Sequence, residues 1–366
     1  MAKLSALQKN FHEAAATDNV AKLKNMINNL INSKDDEGKM PLLKASNKET
    51  INYLIQIGAD VNIKDTDGST ALHKAVRDNQ VEVVKCLIEN GANVNVKDTN
   101  EFTPLHIAAE KGLTEIVKYL IENGAMINSV SCKKNLTPLH TAAVTGKIEI
   151  VKLLIEKGAF VDAEDQFQDT PLHLAVVQNE LEVVKHLLEK GANINGGSNN
   201  DKETSLHLAA KHSGESMIKF LIENGASIDI KNMDQETALH FAVKENQLEV
   251  VKCLVENGAN VNARNKDGHT PHFLAAKLDF NDIVDYLTKT KKRKAESEPE
   301  EIIKSKDPCI TCFEPRNGLY VLLPCGHTSL CESCCIKITC KDDNSKCPTC
   351  RKPINAYNQI FFQKPE

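Results

Sequence analysis

An all-α solenoid of about nine helix pairs, followed by a small cysteine-rich α+β domain, is the architecture this sequence predicts. Three observations carry it. A phrase of the form "TPLHIAA" recurs at Thr70, Thr103, Thr137, Thr170, Thr204 and Thr237, spaced by 33 or 34 residues. Each copy is followed by a second apolar run that ends at a glycine, as in "TEIVKYLIENGA". Nine of the twelve cysteines crowd between Cys309 and Cys350.

The bulk composition is compatible with several soluble domains. The chain has 366 residues, 41% hydrophobic and 26% charged, with no tryptophan and 4% aromatics, which favours many small interfaces over one large aromatic core. A net charge of -5 gives no global reason to expect nucleic acid as a partner. The N-terminal stretch "MAKLSALQKNFHEAAATDNV" lacks an apolar run of signal-peptide length, and no segment approaches the roughly 20 apolar residues of a membrane helix. A cytoplasmic protein with no membrane partner is expected, and the local crowding of cysteine points to metal rather than a disulfide framework.

The repeating units explain themselves residue by residue. Thr103 suits a helix cap and Pro104 the first helical position, where a missing N–H costs nothing. Leu105 points into the core, and Ala108 and Ala109 leave room for a neighbouring helix. In the second helix Ile116, Val117, Leu120 and Ile121 recur at helical spacing, and Gly124 stops it. Gly58, Gly91, Gly158, Gly191, Gly225 and Gly258 hold the same position. At the N-terminal end "NFHEAAATDN" keeps only a helix and "MPLLKAS" at Met40 is degenerate, whereas "TPHFLAA" at Thr270 alters the Leu-His pair. These units resemble ankyrin repeats and are assigned to residues 1–290. The resemblance implies a curved surface that binds a protein partner or substrate.

Within the repeats, His73, His106, His140, His173, His207 and His240 read as side chains that tie the helix-start turn, since no second ligand or catalytic partner accompanies any of them. Cys86 and Cys253 occupy one slot and, with Cys132, read as small core or surface residues. Partner choice is expected in the variable tips between units, where Phe102 and Phe167 are candidate anchors for a protein partner or else pack along their loops. Residues 291–307 read as a solvated, charged linker. Its basic run, Lys291, Lys292, Arg293 and Lys294, is a nuclear address or the charged end of the last helix.

The cysteine cluster has metal-site spacing: Cys309-x2-Cys312, Cys325-x-His327, Cys331-x2-Cys334 and Cys347-x2-Cys350. Eight sulfur and imidazole donors in four pairs match two tetrahedral Zn2+ sites with every position filled by protein. Such zinc is structural, and closed coordination argues against a metallohydrolase. Cys335 and Cys340 are left over, Cys335 being an alternative to Cys334 that the two-residue gap disfavours.

With the histidine fourth among the ligands, and with "LLPCGHTSLCESC" and "CPTCRKPI" around them, residues 308–354 resemble a RING finger, similar to those of the inhibitor-of-apoptosis proteins and other ubiquitin ligases. That resemblance implies cross-bracing, with Cys309, Cys312, Cys331 and Cys334 on one zinc and Cys325, His327, Cys347 and Cys350 on the other. It implies that Ile310, Ile336, Ile338 and Pro348 form a groove for a ubiquitin-conjugating enzyme. It also implies that Arg351 is the catalytic bridge between that enzyme and its thioester-linked ubiquitin, a role suited to a planar, multi-donor guanidinium. The tail at 355–366 resembles the strand by which related RINGs form a homodimer, with Tyr357, Ile360, Phe361 and Phe362 as its apolar residues, or else folds back on its own RING. The function expected is therefore that of a RING-type ubiquitin ligase with ankyrin repeats recruiting the substrate. A non-catalytic ankyrin and RING scaffold is the alternative.

Overall fold

The computed structural model describes residues 2–26, 30–36, 38–131 and 134–297. They form eighteen helices, nine consecutive pairs, which is the architecture expected of the repeats. The pairs are α1 (Ala2–Ala16) and α2 (Val20–Lys24), α3 (Pro41–Lys44) and α4 (Lys48–Gln56), α5 (Ala71–Arg77) and α6 (Val81–Glu89), α7 (Pro104–Lys111) and α8 (Thr114–Glu122), and α9 (Pro138–Val144) and α10 (Ile148–Glu156). They continue as α11 (Pro171–Val177) and α12 (Leu181–Glu189), α13 (Ser205–His212) and α14 (Glu215–Glu223), α15 (Ala238–Lys244) and α16 (Leu248–Glu256), and α17 (Pro271–Lys277) and α18 (Asn281–Ser297). First helices pack on first helices from α5 to α17, and second helices form a row behind them.

One unit cannot bury its own apolar stripe, so a single core runs through the whole stack from Phe11 to Leu287. Leu72, Leu105, Leu139, Leu172, Leu206 and Leu239, the leucines of the repeated phrase, are all 0–1% exposed. The stop glycines work as anticipated. Gly91 follows the C-cap Asn90 at φ +86°, its N–H reaches Ile88 O at 2.9 Å, and Ala92 N–H reaches Leu87 O at 2.9 Å. This is the Schellman closure, and the left-handed φ is why a glycine serves it well.

Three features depart from the expectation. The first unit is a complete pair, because α2 follows the helix read from "NFHEAAATDN". The last helix, α18, runs on through residues 291–297, where a solvated, charged linker was expected to begin, in keeping with the other reading of the basic run as the charged end of the last helix. Lysine, arginine, alanine and glutamate are good helix formers, and neither glycine nor proline interrupts them before Pro299. The basic run thus lies inside a helix. Finally, one loop contains a short antiparallel pair, β1 (Gly197–Ser198) with β2 (Glu203–Thr204), in the register Gly197 to Thr204 and Ser198 to Glu203. Among the described residues no helix is long and apolar enough to cross a membrane.

Candidate functional site

The loops between units end in tips built on one carboxylate or amide. Asp98 is 7% exposed and its Oδ1 accepts hydrogen bonds from the N–H groups of Asn100 (2.9 Å) and Phe102 (3.0 Å). Its other oxygen meets the Arg77 guanidinium at 3.0 Å. Asp165 repeats the turn, accepting from Phe167 at 2.7 Å and Asp169 at 2.9 Å. A short polar side chain replaces the backbone partner that the tight turn denies.

This geometry separates the two candidate aromatics. Phe102, on the leg returning to the helix, is half-buried and stacks on the His106 ring at 5.4 Å between centroids and 14° between planes. Phe167, at the turn itself, stands 53% exposed. Beside it, Gln168 lines a shallow groove with Asn195, Gly197, Lys202, Thr204, Ile230 and Lys231, next to the β1–β2 pair. Nothing in that groove pairs an acid with a base for catalysis.

The repeat histidines form a ladder. Thr103 N–H donates to His106 Nδ1 at 3.2 Å, Thr103 Oγ1 lies 2.8 Å from the same nitrogen, and His106 Nε2 lies 2.9 Å from Leu136 O in the next unit. Because Nδ1 accepts from an amide, the ring's single proton belongs on Nε2, where the carbonyl takes it. His73 reaches Phe102 O at 3.0 Å, His140 reaches Asp169 O at 3.1 Å, His207 reaches Glu236 O at 2.9 Å and His240 reaches His269 O at 3.3 Å. His173 instead reaches Gly196 O at 3.0 Å, since the β1–β2 loop displaces the usual acceptor. Burial pushes all six imidazoles below their ordinary value, His106 to about 4. They are neutral struts. Among the described residues no cluster of three or more histidines, cysteines or carboxylates is placed to hold a metal.

In the last unit the altered phrase changes this device. Phe273 takes the histidine's place, 49% exposed and stacked on His269 at 4.4 Å, while His272 Nε2 lies 3.0 Å from Thr288 Oγ1. Cys86 and Cys253 are buried, and burial raises both thiols, so they are small core residues rather than nucleophiles. Cys132 lies outside the described residues. So do the eight zinc-ligand candidates, Arg351, the groove residues Ile310, Ile336, Ile338 and Pro348, and the tail residues Tyr357, Ile360, Phe361 and Phe362.

Sequence reasoning passed over a second ladder. Asn95 Oδ1 accepts from Met126 N–H at 2.8 Å, and its Nδ2 donates to Gly124 O at 2.9 Å. Asn62, Asn128 and Asn195 make the same double link to the following unit. Asp162 and Asp229 stand in two of these slots and, having no N–H to give, keep only the acceptor half, toward Asn193 and Asn260. The signal was present as an asparagine or aspartate four residues after each stop glycine.

Comparison with known proteins agrees with this geometry. Residues 11–98, 96–165, 160–232 and 206–297 match the family described as ankyrin repeats (3 copies). The chain is an ankyrin-repeat protein. The crystal structure of the human ASB11 ankyrin repeat domain is similar at 32% identity and a TM-score of 0.52, covering 57% of this chain and 92% of that one. This ankyrin-repeat protein also carries a zinc finger of C3HC4 type, a RING finger, matched over residues 305–357, and a RING finger implies zinc binding. Over 74 residues it is 37% identical to the mouse E3 ubiquitin-protein ligase NEURL3, a match covering 20% of this chain and 28% of that protein.

Proposed function

We propose that this chain is a RING-type ubiquitin ligase whose ankyrin repeats hold a protein substrate while its RING orients a ubiquitin-charged conjugating enzyme toward a substrate lysine. One observation carries the reading: a match to the C3HC4 RING finger covers residues 305–357, with Arg351 directly after the last ligand, in the same chain as a repeat array. The partial likeness to a protein named as a ubiquitin ligase supports it.

The donor set fits zinc. Seven thiolates and one imidazole, from Cys309, Cys312, Cys325, His327, Cys331, Cys334, Cys347 and Cys350, are the soft and borderline ligands that zinc takes in closed tetrahedral sites, four to each of two ions. Zinc bound there staples a segment too short to build an adequate core. Ile310, Ile336, Ile338 and Pro348 offer apolar surface to the conjugating enzyme. Arg351 donates to both that enzyme and the ubiquitin, restraining the thioester in one orientation, and catalysis is by positioning with no covalent intermediate on this chain. Phe167 is the exposed fingertip aromatic available to a substrate.

The test is autoubiquitination across a panel of conjugating enzymes, comparing the intact protein with Arg351→Ala after metal analysis shows equal zinc in both. Loss of roughly tenfold or more in the variant is expected. No transfer by the intact, zinc-loaded protein with any enzyme of the panel would favour the non-catalytic scaffold.

A further inference from the structure

Two neighbouring units change the character of one surface without any structural need. The residue two places after each stop glycine is polar in five units: Asp60, Asn93, Asn193, Ser227 and Asn260. In the two units between them it is Met126 and Phe160, the most exposed large apolar side chains among the described residues, at 64% and 67%. Only their backbone serves the fold. Met126 N–H is held by Asn95 Oδ1 at 2.8 Å and Phe160 N–H by Asn128 Oδ1 at 2.9 Å.

Four residues further along, the change recurs. Lys64, Lys97, Lys231 and Arg264 supply a cation at this slot, and the three lysines send their ammonium groups to the carbonyls of Lys97, Val130 and Arg264 in the following unit. Of the three remaining units, one has Gly197 in the β1–β2 pair and the other two are the same units, carrying Val130, 41% exposed, and Glu164. Asn128 lies between Met126 and Val130 in the chain and grips both Phe160 N–H and Gly158 O, so the two segments are adjacent. The outcome is an apolar group, Met126, Val130 and Phe160, beside exposed Asp162 and Glu164. Neither acid has an ion-pair partner among the described residues, and Lys97, the closest ladder cation, is already engaged with Glu101 and Val130 O.

We infer that Met126, Val130, Phe160, Asp162 and Glu164 form a docking surface, separate from the Phe167 fingertip, for a protein segment that presents an apolar anchor next to lysine or arginine. An exposed apolar group rimmed by unmatched charge is the pattern of an interaction site, and the sign of the rim selects a basic occupant. A second copy of this chain fits poorly, because a two-fold contact centred on Phe160 would bring Asp162 and Glu164 near their own duplicates. The inference is independent of ligase activity, since binding is read without ubiquitin transfer.

The experiment is selection of a random dodecapeptide library on the full-length, zinc-loaded protein, with counter-selection on a variant carrying Met126→Asn, Phe160→Asn and Glu164→Lys. Those residues stand at the same slots in other units, so the variant's thermal unfolding should match the parent's, and single Phe160→Asn serves if it does not. Expected peptides place an apolar residue within a few positions of lysine or arginine, weaken by roughly tenfold with Phe160→Asn, weaken with Glu164→Lys, and are indifferent to Phe167→Ala. Failure to recover peptides that distinguish parent from variant, or recovery of acidic ones, would overturn the proposal. So would sedimentation showing a parent dimer that Phe160→Asn dissolves, which would assign the surface to self-association.

Discussion

His106 and Leu136 are joined across a repeat boundary: the imidazole Nε2 lies 2.9 Å from the carbonyl oxygen, while Nδ1 holds the first turn of its own helix. The side chain that starts one unit therefore also fixes the distance to the next. Replacing it with alanine leaves Thr103 N–H without a partner inside the stack, while Leu136 O keeps the N–H of Ser131 at 3.0 Å. One such orphan costs about 1–3 kcal/mol, so His106→Ala should destabilise the solenoid by about 1–3 kcal/mol. A shifted midpoint in urea unfolding is the measurement.

The same ladder makes stability depend on pH. An imidazole held at about 4 in the fold, against its usual 6.5, stays neutral while the unfolded chain takes up a proton. Its contribution is complete above about pH 6.5, declines as the pH falls through that interval, and levels off below the folded value. Burial lowers the other five in the same direction. Unfolding free energy, followed by urea titration from pH 7 to 4, should drop steeply. In His106→Gln the drop should be smaller by an amount on the order of 3 kcal/mol at most.

The repeats were legible because each encodes its own turn: the cap, the leucine, the small alanines and the stop glycine act within a few residues of one another. Links between units were harder to read. Histidine at Thr+3 declares its role in its own turn, yet the carbonyl it reaches lies 29 or 30 residues away in most units, and 23 for His173. The asparagine ladder was missed for the same reason, with Asn95 meeting Met126 N–H 31 residues on. Phe102 and Phe167 looked alike in sequence, both in polar loops. A difference of two places around the anchoring Asp separates a side chain packed on His106 from one in solvent.

Backbone conformation at the tips supplies a stabilising substitution. Gln235 is exposed and holds φ +58°, in the slot where Gly68 and Gly268 sit at φ +68° and +76°. A residue with a Cβ is strained there, and glycine is not. The relief exceeds the extra entropy glycine loses on folding, so Gln235→Gly should raise stability by about 0.5–1 kcal/mol. Thermal unfolding of parent and variant at equal concentration measures it.

Ligand assignment in the cysteine cluster can be tested one thiol at a time. Cys334 completes a two-residue gap with Cys331, which lets both sulfurs turn onto one ion, whereas Cys335 lies one residue too far. Under the proposed assignment Cys334→Ser removes one of four ligands from a closed site, and bound zinc should fall from about two ions per chain toward about one. If the pairs are cross-braced as proposed, the second site would weaken as well, because the segment between the pairs would lose its anchor. Cys335→Ser and Cys340→Ser should keep the parent's full zinc content. Zinc per chain by native mass spectrometry distinguishes the cases. Loss of zinc in Cys335→Ser with retention in Cys334→Ser would exchange the two residues' roles.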